Sequence, residues 1–253
     1  MRVLVTFAVD AEFAPWRTLR NLRQIRVGDF RLHQTEIGRA VVDFVVTGMG
    51  AENAARAANA LMTQPYAICI AAGFAGALKP DYPVGTVIVA ETVRRLGESK
   101  TLSGSRNLIY AARNDGATIT RLLSSDHVVR TIDEKMQLAP FAGAVDMESF
   151  TVLAAAATHD RPAVVIRVIS DASDGEIPAF VDSMLDEQGR LNAGSVFRQL
   201  ARHPLQLPAL IRLGRDSKSA AESLAHFLEA FVKKLSFRSH GWPPAELQEV
   251  ASR

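Results

Sequence analysis

Residues 163–169 are almost wholly apolar, running Ala163, Val164, Val165, Ile166, Arg167, Val168, Ile169. A strand with one wet face alternates polar and apolar residues. A continuous apolar run suits a strand covered on both faces, at the centre of an α/β sheet. Residues 66–72 read the same way. Further strands are expected at 2–9, 29–37, 40–46, 86–90, 117–123 and 141–145, with Gly38-Arg39 as a hairpin turn. Helices are expected at 14–22, 51–62, 107–114, 131–138, 149–157, 196–201, 204–213 and 217–235. In the last of these, Leu224, Phe227, Leu228, Phe231 and Leu235 fall on one face. Residues 91–105 are polar and read as a surface loop that could act as a substrate lid. The alternation predicts a single α/β domain over residues 1–235, with a mixed central sheet flanked by helices on both sides. Residues 236–253 are expected to be an irregular tail.

The chain of 253 residues is long enough for one such domain with a real core. A net charge of +2 gives no pull toward nucleic acid. From Arg190 onward there are ten Lys/Arg against five Asp/Glu, or +5, which leaves −3 for the first 189 residues. This basic end reads first as a solvated helix face, with contact to an anionic lipid surface as the lesser alternative. Cys69 is the only cysteine and lies in an apolar run, so it reads as a buried structural thiol. With no internal disulfide, no signal-peptide pattern and no membrane-length apolar stretch, the expected location is the cytoplasm. The six histidines are scattered, and His127 reads as a rim residue. No His/Cys/Asp cluster has ligand spacing, so neither a metal nor a cofactor is expected.

Three acids share one placement. Glu12 follows the first strand, Glu148 the strand at 141–145, and Asp171 the strand at 163–169. Glycine turns at 48–50 and 73–76 occupy similar edges, leaving backbone N–H groups free to face a ligand. Ligands of open α/β sheets bind beyond the carboxyl ends of the strands, so these features make a plausible site. Each acid also has a structural reading. Glu12 can sit in a helix's first turn. Asp146 can cap the helix expected at 149–157 while Glu148 suits its positive end, and Asp171 can cap a turn. A partly desolvated Asp171 would be a usable general acid near neutral pH.

In order along the chain come Ala8-Val9-Asp10-Ala11-Glu12, Thr47-Gly48-Met49-Gly50-Ala51-Glu52, Ala72-Gly73-Phe74-Ala75-Gly76-Ala77-Leu78, Val84-Gly85-Thr86-Val87, Ser125-Asp126, Val145-Asp146-Met147-Glu148-Ser149 and Arg167-Val168-Ile169-Ser170-Asp171. This ordered set resembles the purine nucleoside phosphorylase/nucleosidase superfamily, and within it the methylthioadenosine/S-adenosylhomocysteine nucleosidases. Residues 177–178, 186–190 and 203–208 carry a looser resemblance to the hopanoid-associated phosphorylases, whose members are linked to removing adenine from adenosylhopane.

The resemblance implies a nucleoside phosphorylase-like fold and cleavage of an N-glycosidic bond through an oxocarbenium-like ribosyl cation. It gives Asp171 the role of acid at purine N7 and Glu12 that of base for the attacking water. Glu148 becomes the acceptor for the ribose hydroxyls, with Met147 packing on the sugar. Val128 and Val129 would hold the base, and Gly48, Met49, Phe74, Ala75 and Gly76 would line the site. An aspartate at 171 favours adenine. Phe74 departs from the family's small serine, and no N-terminal phosphate loop is present. Both departures favour water over phosphate, although Arg39, Arg94 or Arg95 leave phosphorolysis open. The implied partner is a small purine nucleoside, with a homodimer as the assembly. A non-catalytic nucleoside-binding protein is the alternative of a different class.

Overall fold

The computed structural model describes residues 1–178 and 207–238. Ten strands form one mixed sheet: β1 (Arg2–Phe7), β2 (Arg23–Val27), β3 (Phe30–Ile37), β4 (Ala40–Val46), β5 (Ile68–Ala77), β6 (Val87–Arg95), β7 (Thr101–Leu102), β8 (Thr118–Ser124), β9 (Ala144–Asp146) and β10 (Ala163–Asp171). The helices are α1 (Asp10–Phe13), α2 (Trp16–Leu19), α3 (Ala51–Leu61), α4 (Arg106–Asn114), α5 (Ile132–Leu138), α6 (Ser149–Thr158) and α7 (Leu207–Arg238).

The two continuous apolar runs became β5 and β10, which lie side by side and parallel. Alternate side chains of each strand enter different core clusters. Ile68, Ile70 and Ala72 of β5 join one with Ile166 and Val168 of β10, while Cys69, Ala71 and Ala75 join the other with Val165 and Ile169. Helix α7 covers the first face with Leu224, Leu228, Phe231 and Leu235, all buried, and Phe227 packs at the margin. Each such side chain contributes roughly 1.5–3 kcal/mol of burial. The second face is covered by α3 and α6. Helices therefore lie on both sides of a mixed sheet, as the apolar runs require.

Strand β5 is the hub. Its first half pairs β1, from Ile68 opposite Val3 to Ala71 opposite Thr6. Its end pairs β9, with Gly76 opposite Val145 and Ala77 opposite Ala144. Between those contacts, residues 72–75 of β5 have no paired strand residue on this edge. On its other side β5 pairs β10 without interruption from Ala72 to Ala75. Because β10 also pairs β6, and β6, β8 and β9 follow in turn, this half of the sheet closes on itself.

Several local expectations need correction. The helix expected at 14–22 is two short helices, followed by a strand, β2, that the sequence reading missed. β2 pairs only β3 and is largely exposed, so it lacks the apolar alternation that would reveal it. Residues 91–95, expected as loop, continue β6: Val93 is buried and the remaining side chains are polar, while β8 supplies the pairing. The two helices expected near 204–235 are one helix, which passes through Gly214 and reaches Arg238. The helix expected at 196–201 and the segment 186–190 lie outside the described residues. Cys69 is fully buried, as expected.

Candidate active site

The vacant edge of β5 is filled by side chains. Glu12 turns back over the start of α1, and its Oε2 accepts from the backbone N–H groups of Ala8 (2.7 Å) and Val9 (3.0 Å). Its Oε1 accepts from the N–H of Phe74 at 2.7 Å. Two residues earlier on the same edge, the Ala72 carbonyl accepts from Arg167 Nη1 at 3.3 Å. A carboxylate and a guanidinium thus take the backbone bonds that a strand would otherwise make. Gly73 lies beneath both groups, and a Cβ there would stand 2.6 Å from Glu12 Oε1 and collide with Arg167 Nη1.

Arg167 gathers the acids. It projects from β10 into the protein with only 2 % of its surface exposed. Its Nη2 lies 2.6 Å from Asp146 Oδ2 and 3.8 Å from Glu148 Oε2, and its Nε donates to Ser149 Oγ at 3.1 Å. β9 runs antiparallel to β5, so its carboxyl end points back toward the vacant edge and delivers Asp146 and Glu148 there. Glu148 Oε1 accepts from the Gly50 N–H at 2.7 Å, joining the glycine turn before α3 to the cluster. Asp146 takes the capping duty expected of it: its Oδ2 accepts from the Ser149 N–H at the start of α6 (3.1 Å).

Three buried carboxylates surround one buried guanidinium, and burial dominates the ionisation of Glu148 and Glu12. Burial pushes Glu148 up to about 7, with Arg167 opposing the rise and Asp146 adding to it. Burial also raises Glu12, against the pull of Arg167 and its three backbone donors. Burial works against the charge on Arg167, but Asp146, Glu148 and Glu12 outweigh it and raise its ionisation. A carboxylate lifted toward neutrality is a stronger base than a free one, which suits Glu12 to accepting a proton from water.

Asp171 ends β10 opposite Gly76, where a Cβ would lie 2.9 Å from its Oδ2. Gly73 and Gly76 are three residues apart on β5, or roughly 10 Å of extended chain. Glu12 and Arg167 crowd the first of these glycines, and Asp171 crowds the second. Asp171 Oδ1 accepts from Ser170 Oγ at 3.0 Å, and Oδ2 receives the Lys135 ammonium at 2.6 Å.

The remaining expected residues take up varied positions. Met147 is half-buried between Asp146 and Glu148. Gly48 and Met49 precede the Gly50 N–H that binds Glu148, and Ala75 is buried within β5. Phe74 contributes its N–H to Glu12, while its ring packs on the core cluster beneath α7. Val129 is buried with Leu78, Leu123 and Val145, and Val128 is half-buried beside it. His127 is exposed and contacts Glu134 at 2.6 Å. Arg39 stacks on Phe237, Arg94 on Phe141 and Arg95 on Phe150. Among the described residues no group of His, Cys, Asp and Glu could hold a metal ion. Nor is any described helix long and apolar enough to cross a membrane.

Sequence reasoning gave no role to Arg167 or Lys135. Arg167 had a signal available: it is the one charge inside an otherwise apolar central strand, and a buried charge needs partners.

A family model described as the phosphorylase superfamily matches residues 2–202. No curated protein matches the chain. Among solved structures, the futalosine hydrolase of Helicobacter pylori superposes with a TM-score of 0.72 at 16% identity, covering 92% of this chain and 98% of that one. S-adenosylhomocysteine nucleosidase of Streptococcus pyogenes, in complex with 5-methylthiotubericidin, gives 0.72 at 17% identity, covering 93% and 97%. The 5′-methylthioadenosine/S-adenosylhomocysteine nucleosidase of Neisseria meningitidis, in complex with methylthio-immucillin-A, gives 0.69 at 20% identity, covering 92% and 99%. At these identities the likeness is one of fold.

Proposed function

Because the chain belongs to the phosphorylase superfamily, we propose that it hydrolyses the N-glycosidic bond of an adenine-type purine nucleoside and releases the free base. The observation that carries this reading is the position of Glu12, a buried carboxylate beside Arg167 at the vacant edge of β5. A phosphate dianion entering there would meet the charges of Glu12, Glu148 and Asp146 with one guanidinium to offset them. Water meets no such repulsion and finds a base.

In this reading Glu148 accepts hydrogen bonds from the ribose hydroxyls, and its charge favours the developing ribosyl cation. Asp171 gives a proton to purine N7 as the bond from C1′ to N9 breaks and its electron pair moves into the base. Water adds to C1′ and its proton goes to Glu12. The structures of a nucleosidase with nucleoside analogues bound support the same class of ligand. An aspartate rather than an asparagine at 171 supports adenine as the base.

The test is release of adenine from adenosine or methylthioadenosine, with and without phosphate. We expect phosphate-independent release and free sugar as the second product. Strict phosphate dependence with a sugar 1-phosphate product would establish phosphorolysis instead. Adenine binding without turnover on a broad nucleoside panel would point to a binding protein. Asp171→Asn is expected to lose activity by about 10²-fold or more.

A further inference from the structure

Lys135 sits on α5 and is fully buried. Its ammonium donates to Asp171 Oδ2 at 2.6 Å, to the Ala172 carbonyl at 2.7 Å and to the Gly175 carbonyl at 2.9 Å. An ammonium has three donors, and all three are used. Taking such a group out of water is costly unless it is fully paired, so a strut of this kind is an expensive way to hold a loop. Two of its bonds fix the turn that follows β10. The third takes one oxygen of the carboxylate at the end of that strand and leaves Oδ1, which accepts only from Ser170 Oγ among the bonds described, as the oxygen available to a ligand.

The helix that carries Lys135 is itself tied to the segment around Val128 and Val129. Thr131 Oγ1 caps α5 by accepting from the Glu134 N–H at 3.2 Å, and Glu134 Oε2 accepts from the Arg130 N–H at 3.2 Å. On the far side, the Ile177 N–H donates to the Arg130 carbonyl at 3.1 Å. The segment expected to hold the base and the acid expected to protonate it are therefore fixed to each other through α5.

We propose that Lys135 is a positioning residue for leaving-group protonation. The inference rests on the reading in which Asp171 is the acid. Lys135 holds Oδ2 so that Oδ1 is the oxygen that faces N7. When the Asp171 proton moves to N7 and the C1′–N9 electron pair enters the purine, Asp171 is left as a carboxylate in contact with the ammonium, which stabilises it. The water that adds to C1′ gives its proton to Glu12, and Asp171 regains its proton from solvent before the next turnover.

The test compares wild type, Lys135→Met, Lys135→Gln and Lys135→Arg on methylthioadenosine and on 4-nitrophenyl β-D-riboside, whose leaving group departs without an acid. In Lys135→Met we expect kcat on the purine nucleoside to fall at least tenfold with KM changed less than threefold. The ratio of purine to nitrophenyl turnover should fall about tenfold, and Lys135→Arg should recover most of the loss. Lys135→Gln keeps a donor without the charge, so a loss close to that of Lys135→Met assigns the effect to charge. Wild-type turnover in Lys135→Met, or equal losses on both substrates with no recovery by arginine, overturns the inference. Asp171→Asn separates the two levels. If that variant stays active, the reading of Asp171 as the acid is wrong. If it is inactive while Lys135→Met is not, only the role of Lys135 falls.

Discussion

Arg167 Nη2 lies 2.6 Å from Asp146 Oδ2, and both side chains are almost wholly removed from solvent. The pair is the fixed point of the site, because the same guanidinium also faces Glu148 and reaches the backbone of β5. Removing the cation leaves Asp146, Glu148 and Glu12 buried without compensation. Arg167→Met should therefore destabilise the protein by about 3–5 kcal/mol near neutral pH. Thermal or denaturant unfolding measures this directly. Arg167→Lys should recover part of the stability but little activity, since an ammonium cannot serve Asp146, Ser149 and Ala72 in the fixed fork of a guanidinium.

The ionisation of Glu148 and Glu12 sets the acid side of the activity profile. Both are raised, Glu148 to about 7, and both act as carboxylates in the proposed chemistry. We expect kcat/KM to climb as pH rises from 5 toward 7, with a limb near neutrality rather than near the ordinary carboxylate range. A profile already flat above pH 5 would contradict the roles given to these two acids.

Stability should move the other way. Glu148 holds its proton more tightly folded than unfolded, because its value rises from 4.5 to about 7. The native state then binds more protons than the unfolded state between those values. The stabilisation is fully present below about 4.5 and is lost as pH rises through 7. The group's share is on the order of 3 kcal/mol. Unfolding at pH 5.5 and 8, compared between wild type and Glu148→Gln, isolates it: the wild-type decline should be reduced in the variant.

Gly73→Ala tests the crowding over β5. The new Cβ would meet Arg167 Nη1 and stand 2.6 Å from Glu12 Oε1. Neither group can retreat without breaking its backbone bond to Ala72 or Phe74. We expect a loss of about 1–3 kcal/mol in stability, typical of an overpacked core, and a larger fractional loss of activity. A fully active Gly73→Ala would show that Glu12 and Arg167 need not hold these positions.

Much of this was legible in the sequence because burial writes itself into composition. The apolar runs that became β5 and β10 and the face of α7 follow from the need to cover a sheet on both sides. β2 escaped because an exposed edge strand has no such requirement. For the site, Glu12 and Glu148 were placed by their position after strands, and the structure brings both to Arg167. Their arrangement was not readable as a rim of carboxyl ends, because β9 runs against β5 and carries Glu148 back to the strand's middle. Lys135 left no trace, since a lysine in a short polar helix looks solvated until the turn after β10 closes over it.

The vacant edge of β5 has a consequence for how this protein can change. Where two strands pair, backbone satisfies backbone, and a side chain can be exchanged without disturbing the pairing. At Ala72 and Phe74 the pairing partners are themselves side chains, Arg167 and Glu12. A substitution that retunes the chemistry there also reopens the sheet, so drift at these two positions must be met by a compensating backbone contact. Variation in what the protein acts on is freer around Met147, Val128 and Met49, whose side chains close no gap in the sheet.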